Sequence, residues 1–565
     1  MSMSTKTLDT FEQKMQESAE LVGVPSWSEA QMNVFNRVRY GDRNIVVMAV
    51  AGSGKTTTLQ GIVHALPEGK SSRFLAFNKA IATELEARIP GFPASTIHSY
   101  AYKIFAGIYG WPQASSSKIF HIACSHVATS YPNLEWGDAN DLVQEIIDPF
   151  QMARLTQTDT NSYQEMDAMC FERGVFGHSP ARMDDYKVID EVSRWAALAP
   201  KARAPLGTLS SAAQRTVQHL FSAGYQGKSR IPNKPWIDFT EMILFPLESG
   251  KIEQENDYVL WDEAQDSNQL YFDFIRETMN DDGIIVAVGD YRQNIMGFAG
   301  AFTDGMQSLI RQLDAEVLPL NVSYRLPVSH AQLSTRLFPG TEPAPWAKQG
   351  EILECNYSYL LSFIENEVDD PNEVMVICRT NAPAIGFAMR LISHRIPAHV
   401  KGRDFGLMLV KIIKSIGTFR KKPRKGLEFN ENFLDFVYEW EKKEQQKLQA
   451  KDAGERAYEI LSDKAASIVA LWEGTDAQDI FEFIDDVENL FGEGNGVTLS
   501  SIHRSKGLEA KHVAVLEYDR FWLNHRSVTT DSQKFGEDCV RYVALTRAKE
   551  TLLLATPDDR YGVEE

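Results

Sequence analysis

The stretch Asn44–Leu66 constrains this chain more than any other. An apolar run, Asn44-Ile45-Val46-Val47-Met48, leads into Ala49-Val50-Ala51-Gly52-Ser53-Gly54-Lys55-Thr56 and then into Thr57–Leu66 with helical periodicity. This order predicts a buried strand, a glycine loop and a helix. Gly52 and Gly54 let the loop turn its N–H groups towards an anion, and the helix N-terminus adds positive potential. Lys55 is placed to reach outer phosphates, and the Thr56 hydroxyl suits Mg²⁺. Ala51, Gly52, Ser53, Gly54, Lys55, Thr56 and Thr57 are therefore candidate nucleotide contacts, with an ordinary structural turn as the competing reading.

A chain of 565 residues has room for three or four domains, and 43% apolar with 24% charged residues is an ordinary globular balance. Five cysteines, Cys124, Cys170, Cys355, Cys378 and Cys539, show no paired spacing, which fits reduced thiols better than a disulfide framework. There is no secretory signal pattern and no apolar run long enough to span a bilayer, so no membrane partner is expected. The formal net charge of −19 argues against a uniformly basic nucleic-acid binder. It leaves room for a locally basic channel, because phosphate recognition depends on nearby lysines and arginines.

Further candidates follow in chain order. Gln31 offers an amide that donates and accepts at once, as recognition of an adenine edge requires. Phe74–Lys79 reads as a strand running into a helix over Ala80–Ile89, and Ser95-Thr96-Ile97-His98 follows a Gly/Pro turn. Both lie where loops leave the carboxyl ends of strands, the ligand-binding edge of open α/β sheets. His121, Cys124 and His126 invite a metal reading, but no second ligand pair stands at finger spacing and core packing is the better account. Tyr258–Trp261 predicts another strand, after which Asp262 suits Mg²⁺ and Glu263 suits activation of a water. A helix cap is the plain alternative for this acidic pair. Ile284–Asp290 is a further buried strand, opening onto Tyr291–Ala301.

The segments AVAGSGKT, AFNKA, STIHS, IDFTEM, DEAQD, VGDYRQNIMGFAGA, SYR, ICRTNA, TLSSIHRSKGLEA and EDCVRYVALTRAK stand in that order between Ala49 and Lys549. In this set the chain resembles the UvrD/Rep-type superfamily 1 DNA helicases. It looks closest to the F-box DNA helicase branch, although no F-box is visible. The resemblance implies an α/β fold of two RecA-like parallel-sheet motor domains, a P-loop NTPase, each carrying a mainly helical insertion. Gln31 and Tyr324 would hold adenine, Glu509 would approach the ribose, and Lys55, Thr56 and Asp262 would hold phosphates and Mg²⁺. Glu263 would serve the hydrolytic water, Arg325 and Arg547 the γ-phosphate, and Gln293 the link from nucleotide to DNA. Phe77, Asn78, Thr96, His98, Phe298, Arg379, Asn381 and His503 fall on positions that contact the DNA strand. The chain departs from the pattern at Ala49 for the first loop glycine, Thr57 for an arginine over the base, Phe298 for a tryptophan, Met296 for a tyrosine, and in Phe77, displaced by one position.

Val374–Cys378, Val497–Ser500, Val513–Leu516 and Thr551–Ala555 read as strands of a second parallel sheet. The expected division is 1–105 with 235–325, a helical insertion over 106–234, a second motor domain over 326–403 with 496–565, and a small helical insertion over 404–495. The nucleotide is expected between the motor domains. Arg420-Lys421-Lys422-Pro423-Arg424-Lys425 reads as a duplex-DNA contact, a nuclear import signal or a solvated turn. With few residues after Lys549, no nuclease domain is expected. The resulting expectation is an ATP- and Mg²⁺-dependent 3′–5′ DNA helicase and single-stranded DNA translocase of replication, recombination or repair. It would act on single-stranded and tailed duplex DNA with a single-strand-binding protein or recombinase, in the cytoplasm at the nucleoid, or in the nucleus of a eukaryote. The alternatives are a translocase that strips proteins without efficient unwinding, and an RNA-directed helicase.

Overall fold

The computed structural model describes residues 5–173, 175, 180–198, 203–222, 234–297, 300–418, 433–450, 455–477, 480–492, 494–521 and 530–559. Phe298 and the basic cluster 420–425 lie outside the described residues. The chain forms two compact units, Met1–Ala49 with Gly54–Leu320, and Val50–Ser53 with Asn321–Glu565.

In the first unit the strands are β1 (Ile45–Ala49), β2 (Ser72–Ala76), β3 (Ala94–Thr96), β4 (Gln113–Ala114), β5 (Trp236–Ile237), β6 (Asn256–Trp261), β7 (Met279–Gly289) and β8 (Glu316–Leu320). Six of them make one sheet in the order β3-β2-β6-β7-β1-β8, with every pairing parallel. Side chains alternate between its two faces. Ile45, Val47, Phe74, Leu260, Val286 and Val288 enter one core, and Val46, Leu75, Val259, Trp261, Ile285 and Ala287 enter the other. Both faces are covered by helices, and burial on both sides is why the central strands read as continuous apolar runs.

Between β4 and β5 the helices Lys118–Ser130, Trp136–Thr156, Tyr163–Arg173, Pro180–Ala197 and Ser211–Ser222 surround a core of their own that includes Ile122, Ile146, Phe150, Ile189 and Val217. His126 is buried here and hydrogen-bonds through Nε2 to Asp185 Oδ1 across 2.7 Å. That pairing supports the packing reading for His126. The insertion is tied down by a buried polar knot. The Lys118 ammonium donates to both Glu241 oxygens at 2.8 and 2.6 Å, and Arg154 makes a two-pronged pair with Asp238 at 3.0 and 2.8 Å. Asp238 and Glu241 each accept the other's backbone N–H, at 2.7 and 2.8 Å.

The second unit carries β9 (Val322–Ser323), β10 (Glu342–Pro343), β11 (Glu351–Asn356), β12 (Val374–Cys378), β13 (Ala398–Val400), β14 (Val497–Ser501), β15 (Ala510–Leu516) and β16 (Ala548–Thr556). Its main sheet, again wholly parallel, runs β11-β16-β15-β12-β14-β13. Helices Arg403–Thr418, Phe433–Ala450, Glu455–Glu473 and Ile480–Leu490 fall between β13 and β14 and share a continuous core with that sheet. Among the described residues, no helix is long and apolar enough to cross a membrane.

Candidate functional site

The registers of the first sheet bring the candidate residues to one edge. Met48 pairs with Gly289, Trp261 with both Ala287 and Leu75, and Ala76 with Thr96. Four adjacent strands and β3 therefore end together, and the loop at 50–54, Asp262–Glu263, Asp290–Gln293, Phe77–Asn78 and Ile97–His98 all leave from the carboxyl edge, where open parallel sheets bind ligands.

Gly52 and Gly54 have φ of 76° and 77°, which a side chain would resist. Gly54 is the N-cap of the helix Lys55–Ala65 and supplies no side-chain acceptor, so the first-turn N–H groups stay available to an anion. The helix begins two residues earlier than its periodicity suggests, which puts Lys55 and Thr56 in its first turn. Lys55 Nζ lies 2.7 Å from Glu263 Oε2. Burial lowers the lysine pKa, but Glu263, Asp290 and Asp262 outweigh it and hold the ammonium above its ordinary value. Glu263 itself sits in left-handed backbone at φ 50°, a strained conformation for a non-glycine residue.

Asp262 is 2% exposed, and its Oδ1 accepts the Glu263 N–H at 2.9 Å. Its Oδ2 is buried with no hydrogen-bond partner. Burial and then the charge of Glu263 push this carboxyl up to about 7, against the pull of Lys55. An orphaned buried carboxylate oxygen beside a lysine and an open helix N-terminus fits a magnesium–nucleotide complex. Gln293 is buried and donates to Asp290 Oδ2 at 2.8 Å.

Gln31 is engaged already. Its amide oxygen accepts the Ser28 N–H at 3.0 Å in a capping box, and one amide hydrogen goes to Thr58 Oγ1 at 3.0 Å. Asn78 and Thr96 are N-caps, accepting from Ile81 and Ser99 at 3.0 and 3.1 Å, which accounts for both residue types without a ligand. Phe77 is 46% exposed. His98 stands edge-on to Phe239 and Tyr271, with centroids 5.9 and 5.6 Å away, and burial holds its pKa below the ordinary value. Phe239 is half exposed in the middle of IDFTEM. Sequence reading did not single it out, although a large aromatic between two buried acids is the available signal.

In the second unit, Ser323 Oγ donates to the Ala51 carbonyl at 2.7 Å and the Tyr324 N–H to the Gly52 carbonyl at 2.8 Å. Ser53 Oγ is buried without a partner. The Tyr324 ring stacks on Trp346 at 5.9 Å. Glu509 joins Arg325 and Lys549, each at 2.5 Å. Burial raises the Glu509 pKa, but Arg325, Lys549 and Arg547 prevail and keep it low. Arg547 is 1% exposed and donates to the carbonyls of Val543 and Leu508 at 2.9 and 3.2 Å. Glu509 and Arg547 immediately precede the paired residues Ala510 and Ala548, so they mark the amino edge of the second sheet. Arg379, Asn381 and His503 follow Cys378 and Ser501, which pair at its carboxyl edge. Arg379 grips Glu537 at 3.0 and 2.6 Å, and Asn381 donates to Asp463 at 2.9 Å. His503 is half-buried in the short helix Ile502–Ser505.

Residues 28–314, just over half of the chain, match the family model of the UvrD/REP helicase N-terminal domain. The chain is 24% identical to F-box DNA helicase protein 1 of Schizosaccharomyces pombe over 93% of its length and 57% of the relative's. It is 23% identical to a probable DNA helicase II homolog of Mycoplasma capricolum over 67% of its length and 53% of the relative's. A shorter stretch, 16% of this chain and 13% of the relative, is 31% identical to DNA helicase II of Haemophilus influenzae. The chain thus spans about half the length of the Schizosaccharomyces pombe and Mycoplasma capricolum relatives. With the strand–loop–helix at Ile45–Ala65 and the acidic pair of Asp262 and Glu263 on one parallel sheet, the chain is a member of the UvrD/REP helicase family.

Proposed function

We propose that the chain is an ATP-driven motor that moves 3′ to 5′ along single-stranded DNA and separates the duplex ahead of it. What carries the reading is the first-unit carboxyl edge, where Lys55, Glu263 and the orphaned Oδ2 of Asp262 meet at the head of an uncapped helix. Thr56 and Asp262 would hold Mg²⁺, whose positive charge offsets that of the phosphates. Lys55 and the helix N–H groups bind and orient the phosphate chain, and Glu263 takes the proton of the attacking water. Arg325 and Arg547 stabilise charge on the γ-phosphate, a role worth about 10³- to 10⁵-fold in rate. Gln31 and Tyr324 take the base, Glu509 the ribose, and Gln293 passes the nucleotide state to the DNA.

The strand path includes Phe77, Asn78, Thr96, His98, Phe298, Arg379, Asn381 and His503, to which we add Phe239. The four-part division drawn from the sequence, at 105/106, 234/235, 325/326, 403/404 and 495/496, is the working arrangement. The biological setting is replication, recombination or repair, beside a single-strand-binding protein or recombinase.

The test is ATP hydrolysis with and without single-stranded DNA for the unmodified chain, Glu263→Gln and Arg547→Ala, followed by unwinding of duplexes with 3′ or 5′ tails. DNA-stimulated turnover abolished by both substitutions while ATP still binds, with unwinding from the 3′ tail, is the expected result. DNA-independent turnover, or turnover surviving either substitution, refutes the assignment. Clearance of bound protein without strand separation identifies a stripping translocase instead.

A further inference from the structure

Gln265, in the motif DEAQD, received no role from the sequence and is fully buried. Its Nε2 donates to Glu263 Oε2 at 2.5 Å, the oxygen that also meets Lys55. Its Oε1 accepts the backbone N–H of Asp290 at 3.0 Å. Asp290 in turn accepts from Gln293 at 2.8 Å and from the Arg292 N–H at 3.2 Å. The amide orientation is forced, because turning this fully buried amide over would set oxygen against carboxylate and N–H against N–H. The neighbouring strand is shaped around it. A Cβ on Gly289 would stand 2.4 Å from Gln265 Oε1 and 2.7 Å from Met306 sulfur.

A buried glutamine that only filled space would be replaceable by leucine or methionine. This one spends both ends of its amide on two different segments, one bearing the proposed base and the other the proposed DNA link. We infer that Gln265 is a positioning residue, fixing the Glu263 carboxylate to the end of the strand that carries Gln293 so that DNA engagement sets the aim of the base. The inference rests on the motor reading above. A misplacement of about 1 Å in such a site costs on the order of 10²-fold in rate.

The experiment is steady-state ATP hydrolysis by the full chain, with and without single-stranded DNA, for Gln265→Leu, Gln265→Glu and Gly289→Ala, with Glu263→Gln as reference. Gln265→Glu keeps the volume but turns an acceptor towards Glu263, and carries the test if the leucine variant loses its cooperative melt. Gly289→Ala displaces the amide from the opposite side. For each folded variant the KM for ATP is expected to stay near that of the unmodified chain. DNA-stimulated kcat should fall by about 10²-fold, and by more than the basal rate, so that the stimulation ratio collapses at least about tenfold. An unchanged ratio in folded variants, or a fall in kcat that only tracks melting temperature, overturns the inference. Full hydrolysis by Glu263→Gln would instead overturn the reading beneath it.

Discussion

Asp262 shows what a buried, unpaired carboxylate oxygen costs a fold. Its pKa is raised, so it favours the fold when protonated, and that contribution fades as pH rises from its unfolded value of about 3.9 through about 7. At pH 8, without nucleotide or Mg²⁺, Asp262→Asn is expected to stabilise the protein by about 1–3 kcal/mol, measured by urea unfolding, with the gain shrinking as pH falls towards about 4. The same substitution should abolish Mg²⁺-dependent hydrolysis. A loss of stability at pH 8 would mean that the orphaned oxygen is satisfied in solution. Type and spacing singled out Asp262, Glu263 and Lys55 in the sequence, and the fold sets the three side by side. Their partners were not legible there. Gln265, Asp463 for Asn381 and Glu537 for Arg379 are chosen by tertiary packing, which no local pattern reports.

At the scale of elements, the six residues Ile237–Met242 hold two opposite roles side by side. Asp238 and Glu241 turn inward to Arg154 and Lys118, while Phe239 turns outward beside His98. Lys118→Met leaves the buried Glu241 uncompensated and should cost about 3–5 kcal/mol in urea unfolding, with partial recovery in the double variant Lys118→Met/Glu241→Leu. Phe239→Ala should leave that stability nearly unchanged and weaken single-stranded DNA binding by about 1–3 kcal/mol, measured by fluorescence anisotropy. The strands divide in a similar way. Those at the centres of the two sheets, β1, β2, β6 and β7, then β12, β14, β15 and β16, are plain in the sequence as apolar runs. Within these two six-stranded sheets the strands that escaped, β3, β8, β11 and β13, are the four edges. An edge strand buries one side only and tolerates Pro319 in β8 or the partly exposed Ala94–Thr96 of β3, so its apolar signal is broken.

Across the whole molecule, burial holds the pKa values of His64 and His98 in the first unit, and of His330, His399 and His512 in the second, below the ordinary value. A depressed histidine contributes stability that is complete above about pH 6.5 and lost as pH falls through the folded value. The second unit is therefore expected to unfold at lower urea at pH 5.5 than at pH 7.5, whereas in the first unit the raised Asp262 carboxyl opposes the histidines. Insensitivity over that range would mean that these imidazoles titrate as if in water.

The order β3-β2-β6-β7-β1 also fixes a length. Four inter-strand steps separate the glycine loop at 50–54 from the strand ahead of His98, about 19 Å at ordinary strand spacing. A close-packed parallel sheet with both faces covered does not stretch or shear over such a span at small cost. Whatever passes from one end of this edge to the other must travel through the loops that stand upon it, with the sheet serving as the fixed ruler against which their movement is measured.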